Sequence, residues 1–348
     1  MPKQPLSDIQ PLEQVEGLLS RNWPPLRWCQ LNVAVALSGG CDSMALLRAV
    51  LRLKHQHCGP GRVTALHVDH QLRERESEAD ATWCEAQCKL LEVPLRVLRG
   101  VKSPDAHDDG DGLENAAREY RYRLLAEAAE QDGVRYVATA HTQNDQVETV
   151  LFRLMRGSGM RGLAGIPSSR MLTPAVTLVR PLLDCSRKQL ECYLAALNQD
   201  FRVDSSNRDT RLTRNRLRHE LLPQLRTEYN TELDAALLRI ASHAEGVQRF
   251  LEKQGQLLLD KARVADSDIT ANKSITLRCG PLTRQDSVVV CEALRLAWRD
   301  SGLPEQEMTF DWWRRLAERV SEPRSGEILN LPGAVRASIV DDCLVIQW

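Results

Sequence analysis

No stretch of this 348-residue sequence is long and apolar enough to cross a bilayer, and its opening, Met1-Pro-Lys-Gln-Pro-Leu-Ser-Asp8, lacks the apolar run of a secretory signal. A cytoplasmic protein with no membrane partner is the expectation. The ten cysteines include no C-x-x-C pair, which excludes the usual zinc and dithiol spacings and fits reduced thiols. Cys84 and Cys88 share a helix face and read as two buried thiols. The formal net charge of −1 provides no global field for nucleic acid, and neither internal repeats nor low-complexity tracts occur. Also missing is the Walker A pattern G-x-x-x-x-G-K-S/T, so γ-phosphoryl transfer is not the natural chemistry. What remains is a composition of 43% hydrophobic and 27% charged residues, enough for two or three globular domains.

The most informative segment is Val33-Ala-Val-Ala-Leu-Ser38-Gly39-Gly40-Cys41-Asp42-Ser43. An apolar strand runs into a glycine pair and then into the apolar-periodic helix that begins near Met44. At such a turn, backbone N–H groups approach a polyphosphate and the helix dipole favours the anion. Ser38 and Ser43 add hydroxyl donors. Asp42 would repel phosphate unless a divalent cation lay between them, so Mg²⁺ is implied, with Asp145 as its second carboxylate.

Strand-like runs at 33–37, 63–68, 95–98 and 134–139 alternate with amphipathic helices. This predicts an α/β parallel sheet with helices on both faces and ligands outside the strands' carboxyl ends. Lys102–Gly112 reads as a mobile loop. Asn230–Leu259 reads as a long helix, and Gly326–Leu331 and Val335–Ile346 as a closing pair of strands turning at Pro332-Gly333. The expected organisation is an N-terminal extension (1–30), a catalytic domain (31–225) and a smaller, mostly helical region with a terminal two-strand segment (226–348).

Further clusters sit at the predicted strand ends. Asp69 and His70 follow the second strand. On the helix after residue 112, Glu114, Arg118 and Arg121 share one face, and Ala117, Tyr120, Leu124 and Ala128 form the apolar stripe beside it. In Ala140-His141-Thr-Gln-Asn-Asp145-Gln-Val-Glu148-Thr149, the residues Val147, Val150, Leu151 and Leu154 define a buried side, leaving Asp145, Glu148 and Thr149 opposite. Two carboxylates there suit Mg²⁺ or a substrate amine. Arg156–Pro167 supplies a glycine-rich, basic hinge. Arg202, Arg208, Arg211, Arg214, Arg216, Arg218 and Arg226 face only Asp204, Asp209 and Glu220 within that stretch, which predicts a local basic surface.

The Ser38–Ser43 segment resembles the PP-loop of N-type ATP pyrophosphatases. With LHVDHQLR, ENAAREYRY, AHTQNDQVET, RGSGMRGLAGI, RPLL, DSSN and RNRLRHELLP in this order, residues from about Val33 to Leu225 are similar to the tRNA(Ile)-lysidine synthetase family. That resemblance implies an adenine nucleotide α-hydrolase-like catalytic domain. It implies an enzyme that adenylates the wobble cytidine of tRNA(Ile) with anticodon CAU and then joins free L-lysine to it. ATP would lie on Ser38, Gly39, Gly40, Cys41, Asp42, Ser43, His67 and Asp69, and lysine on Asp42, Asp145 and Glu148. Arg118 and His141 would join Asp42, Asp145 and Glu148 in catalysis, with Asn207, Arg208, Arg211, Arg214 and Arg218 on the tRNA. Arg214 and Arg218 also come near the active site by this resemblance. Longer members carry a further domain that this chain is expected to lack, and a homodimer is a possible assembly. The alternatives are a PP-loop tRNA thiolase, against which the missing C-x-x-C pair speaks, and a non-catalytic RNA-binding module.

Overall fold

The computed structural model describes residues 6–69, 74–99, 110–202, 213–264, 274–322 and 326–348. It divides into two compact units, Met1–Ala241 and Ser242–Trp348. The division falls inside one long helix.

The first unit is built on six strands: β1 (Val33–Ala36), β2 (Val63–Asp69), β3 (Leu95–Arg99), β4 (Tyr136–Ala138), β5 (Ser169–Met171) and β6 (Thr177–Val179). Their order is β3-β2-β1-β4-β6-β5, and every pair is parallel except β5 with β6. Val33 of the central strand pairs with Val63 on one side and Tyr136 on the other. The order therefore reverses between β1 and β4, and in open α/β sheets a crevice opens at the carboxyl ends where this happens.

Strand alternation assigns the two faces. Val33 and Val35 join one core with helices α1 (Leu6–Asn22), α2 (Cys41–His57), α3 (Glu74–Leu90) and α7 (Arg187–Ala196), through Leu19, Met44, Cys84 and Tyr193. Ala34 joins the other core with Leu66, Val137 and Leu178, under helix α4 (Gly110–Gln131). The segment expected as an extension is thus part of the first core, through Leu12, Val15 and Leu19. On α4 Ala128 is buried as expected, together with Tyr122, Leu125 and Ala129, whereas Ala117, Tyr120 and Leu124 are only half-buried. The helix is rotated from the expected stripe because the sheet, not the helix's own periodicity, selects the inward face. Of the loop expected over 102–112, residues up to 109 lie outside the described residues, and 110–112 already belong to α4.

A third core joins helix α5 (Gln143–Met155) to the segment 213–241. There α8 (Thr213–Arg216) continues through π-helical turns at Leu217–Leu221 and Leu225–Tyr229, separated by the short α9 (Leu222–Gln224). Val147, Val150 and Leu151 pack on Leu217, Leu222 and Leu237. Leu154, expected on the buried side, is 47% exposed because α5 has run past this partner by its last turn.

The expected long helix is α10 (Leu233–Ala262). In the second unit, α11 (Ser287–Asp300) and α12 (Phe310–Ser321) set Trp298 against Trp313 edge-to-face at 5.7 Å. Four strands rather than two close the chain: β7 (Ser274–Arg278), β8 (Ile328–Leu331), β9 (Val335–Val340) and β10 (Cys343–Gln347), antiparallel in the order β7-β10-β9-β8. The run expected as a single strand, 335–346, is a hairpin. It turns at Asp341 and Asp342, whose φ values of 46° and 60° suit a tight two-residue loop.

Candidate active site

The loop between β1 and α2 is held from behind. Leu37 N–H donates to the Leu66 carbonyl at 2.8 Å, and its own carbonyl meets His67 Nδ1 at 2.8 Å. His67 is 5% exposed, so its ring supports the base of the loop from β2 rather than lining the cavity in front. On the other side Arg202 N–H donates to the Gly39 carbonyl at 2.9 Å. Within the turn, Ser38 N–H donates to Ser43 Oγ at 3.2 Å, and Ser43 Oγ donates to the Gly40 carbonyl at 3.0 Å. Gly39 has φ +84°, and a Cβ there would lie 3.2 Å from Cys84 Sγ and 3.3 Å from the Trp83 ring. Only glycine fits both the conformation and the space. Gly40 is the N-cap of α2 and no side chain bonds the cap, so the first N–H groups of a 17-residue helix face outward from the loop.

In front of this loop lies a cavity of about 540 Å³, a size suited to a nucleotide. Ser38, Gly40, Cys41, Asp42 and Ser43 form one wall, His141, Asp145 and Arg218 another, and Leu66, Val68, Tyr122 and Leu125 an apolar side. Asp69 is buried at the end of β2, outside this lining, as are Glu148 and Arg118.

Asp42, in the first turn of α2, is the least satisfied acid. Its Oδ1 is buried without a hydrogen-bond partner, and Arg187 stands 4.0 Å from Oδ2. Burial pushes its pKa up to about 6; Arg187 opposes that rise and Asp145 adds to it. A carboxylate short of a partner, within the field of a second one, fits Mg²⁺, which takes one or two carboxylates and completes its shell with phosphates and water. Among the described residues no group of three or more His, Cys, Asp or Glu encloses a metal position; Asp42 and Asp145, which both line the cavity, are the carboxylates that would be available to such an ion.

Helix α5 starts on a reciprocal cap: Thr142 N–H donates to Asp145 Oδ2 at 2.8 Å and Thr142 Oγ1 to the same oxygen at 3.0 Å. Asp145 thereby caps the helix with one oxygen and turns the other to Arg218 at 3.4 Å. Glu148, expected on an exposed face, is buried: the segment after α8 covers it, and Arg218 grips it through Nε at 2.5 Å and Nη2 at 2.9 Å. His141 is half-exposed in the cavity, with Nδ1 3.0 Å from Thr139 Oγ1.

Of the arginine run, Arg216 is exposed on α8, while three others are drawn into ion pairs. Arg202 pairs with Asp80, Arg218 with Glu148 and Asp145, and Arg226 with Asp234. Asn207, Arg208 and Arg211 lie outside the described residues. Arg214 falls in α8, but its side chain is outside them too. The glycine-rich hinge, which contains the short α6 (Met160–Leu163), is packed onto α5, where Arg153 Nη1 donates to the carbonyls of Gly162 at 2.9 Å and Gly165 at 2.6 Å. Sequence reasoning missed Arg187, whose only signal was the capping pattern Ser186-Arg-Lys-Gln189 that fixes the start of α7. It also missed Tyr122 as part of the cavity wall.

Residues 21–225 match the PP-loop domain family, the class of nucleotide-binding protein that this sheet and loop define. A tRNA(Ile)-lysidine synthase of Porphyromonas gingivalis is 40% identical over 221 residues, 64% of this chain and 46% of that protein. The protein of the same name from Chromobacterium violaceum is 35% identical over 335 residues, 92% of this chain and 71% of its own. For that of Pseudomonas fluorescens the figures are 37% over 257 residues, 73% of this chain and 54% of its own. This chain belongs to the tRNA(Ile)-lysidine synthase family of PP-loop proteins. It spans about half the length of the P. gingivalis and P. fluorescens relatives. A U34-tRNA thiolase from Methanococcus maripaludis shares the fold, with a TM-score of 0.56 at 12% identity over 68% of this chain and 80% of its own.

Proposed function

We propose that the protein uses ATP to ligate free L-lysine to C2 of the wobble cytidine of tRNA(Ile) with anticodon CAU, forming lysidine. The observation that carries this reading is the relation of Asp42 to Asp145. One acid has an unpartnered oxygen at a phosphate-binding loop, and the other lines the same cavity and already faces a guanidinium.

In the first step the cytidine C2 oxygen attacks the α-phosphorus of ATP and pyrophosphate leaves. The N–H groups opening α2 and the hydroxyl of Ser38 receive the phosphates. Mg²⁺, when bound, neutralises phosphate charge. In the second step the uncharged ε-amine attacks C2, AMP departs with the C2 oxygen, and nitrogen loses a proton. Asp145, facing the cavity, is assigned the lysine ammonium, and Glu148 behind it anchors Arg218. His141, which lines the cavity and meets Thr139, is assigned the amine proton.

Asn207, Arg208, Arg211 and Arg214, with the region after residue 225, are assigned to the tRNA. The substrates place the reaction in the cytoplasm, and no helix among the described residues is long and apolar enough to cross a membrane. Sulfur transfer finds no support at the loop, since burial pushes both Cys41 and Cys84 up to about 12, far from thiolate formation.

The test is incubation with tRNA(Ile) of anticodon CAU, ATP and radiolabelled lysine. Label in the wobble nucleoside, with equal amounts of AMP and pyrophosphate, is expected; label independent of ATP or absent from that nucleoside rejects the reading.

A further inference from the structure

Four arginines gather where the described residues provide no carboxylate to pair with any of them. Arg170, exposed on β5, places its guanidinium carbon 4.2 Å from the centre of the Tyr122 ring, and Arg118 of α4 lies at 5.6 Å. Arg180, just after β6, is 2% exposed and bonded to the Tyr122 hydroxyl. Its Nη1 donates to the Pro167 carbonyl at 2.6 Å, while its Nε is buried without a partner. Arg153 of α5 stands within electrostatic reach of Arg118. Burial would raise the Tyr122 hydroxyl, yet Arg118, Arg180 and Arg170 together hold it below its ordinary value. Like charges held this close and partly desolvated repel one another, and the arrangement gains stability when an anion joins it.

We propose that Arg118, Arg170 and Arg180, grouped on Tyr122, form a binding site for a phosphate of the RNA backbone at the edge of the nucleotide cavity. The inference rests on the RNA substrate proposed above. Tyr122 both lines the cavity and has the guanidiniums of Arg170 and Arg118 over its ring, so a phosphate held there is fixed relative to the reacting nucleotide. Guanidinium forks suit phosphate geometry, and an aromatic face pre-orients them. The ATP phosphates have their own loop at 38–43, carried by β1 and α2. Arg170, at the exposed edge strand, opens the cluster to a large polyanion.

Free pyrophosphate offers the same chemical group, and the experiment separates the two. Arg170→Ala and Arg170→Glu change an exposed side chain on the edge strand β5 and spare both cores. Their affinities for tRNA(Ile) of anticodon CAU are measured across a salt series, and for inorganic pyrophosphate at fixed salt. Arg170→Ala is expected to weaken RNA binding about threefold to tenfold near 0.1 M salt and to reduce the slope of log affinity against log salt by about 0.7 to 0.9, with a larger loss for Arg170→Glu. Pyrophosphate affinity is expected to stay unchanged. Unchanged RNA affinity and slope in both variants overturns the site, as does a loss confined to pyrophosphate. Lysine incorporation by the unmodified protein is followed in parallel. Its absence removes the proposed reaction, whereas incorporation together with unaltered RNA binding by the variants removes only this site.

Discussion

Arg218 and Glu148, 70 positions apart in sequence, form a two-pronged ion pair with Nε–Oε1 at 2.5 Å and Nη2–Oε2 at 2.9 Å, and the glutamate side chain is only 4% exposed. The pair fixes the wall of the cavity that Asp145 completes. Removing one partner of such a buried pair leaves the other charged and unsatisfied. Arg218→Met should therefore cost about 2 kcal/mol in urea unfolding, and adding Glu148→Gln should recover most of it. Equal stability of the single and double variants would show that the pair contributes nothing.

Asp145 lines the cavity and Glu148 does not, so the two carboxylates should differ in their effect on lysine. Asp145→Asn should raise the lysine KM about tenfold or more with the ATP KM within about twofold, as expected for loss of a charge-assisted bond. Glu148→Gln should act mainly on kcat and stability, through Arg218. Steady-state kinetics in lysine at saturating ATP and tRNA decides; an unchanged lysine KM in Asp145→Asn rejects the assignment.

Asp42 carries a pH signature. Burial lifts its pKa to about 6 in the fold, against an ordinary 3.8. The folded state thus keeps a proton that the unfolded chain has released, and stability from this group falls as pH rises from about 4 through 6. Without nucleotide and metal, Asp42→Asn should be more stable than the parent by up to about 2 kcal/mol at pH 8, with the gain gone near pH 4. The same variant should release no pyrophosphate. A variant no more stable at pH 8 than at pH 4 relative to the parent, or one that retains pyrophosphate release, contradicts the role.

Gly39 combines a positive φ with a Cβ position pressed between Cys84 and Trp83. Gly39→Ala should destabilise by about 1–3 kcal/mol and weaken ATP binding, because the turn must open to relieve the contact. Calorimetric ATP titration and thermal unfolding check this; parent-like values in both would mean that the turn tolerates a side chain.

The arginines beyond residue 202 give a separate test of RNA contact. Arg211→Ala should lower tRNA affinity and flatten its salt dependence by up to about one unit of slope, with ATP binding preserved. An unchanged slope, together with loss of turnover in Arg214→Ala at saturating tRNA, makes this stretch a wall of the active site instead.

Much of the catalytic half was legible because its signals are local. Val33–Leu37 with the glycine pair that follows states a strand, a turn and a helix start within a dozen residues, and the structure places β1 and α2 there. The period of α5 correctly buried Val147, Val150 and Leu151. The same period mistook Glu148 for exposed, since nothing near it in sequence reveals that Leu217 and Leu222 bring Arg218 over that face. The closing sheet was half legible: Pro332-Gly333 announced one turn, but the Asp341-Asp342 turn carries no glycine and β7 lies some fifty residues upstream of the next strand of the sheet.

By itself the sequence determined the phosphate loop, the alternation that makes a parallel sheet and the residue types gathered at its strand ends, because each depends on backbone geometry within a few positions. Only the tertiary structure decided which charges meet. It turned Arg218 onto Glu148, set His67 behind the loop instead of in the cavity, and gathered Arg118, Arg170 and Arg180 on one tyrosine. Coulomb energies and desolvation depend on distance through space, and chain order does not record it.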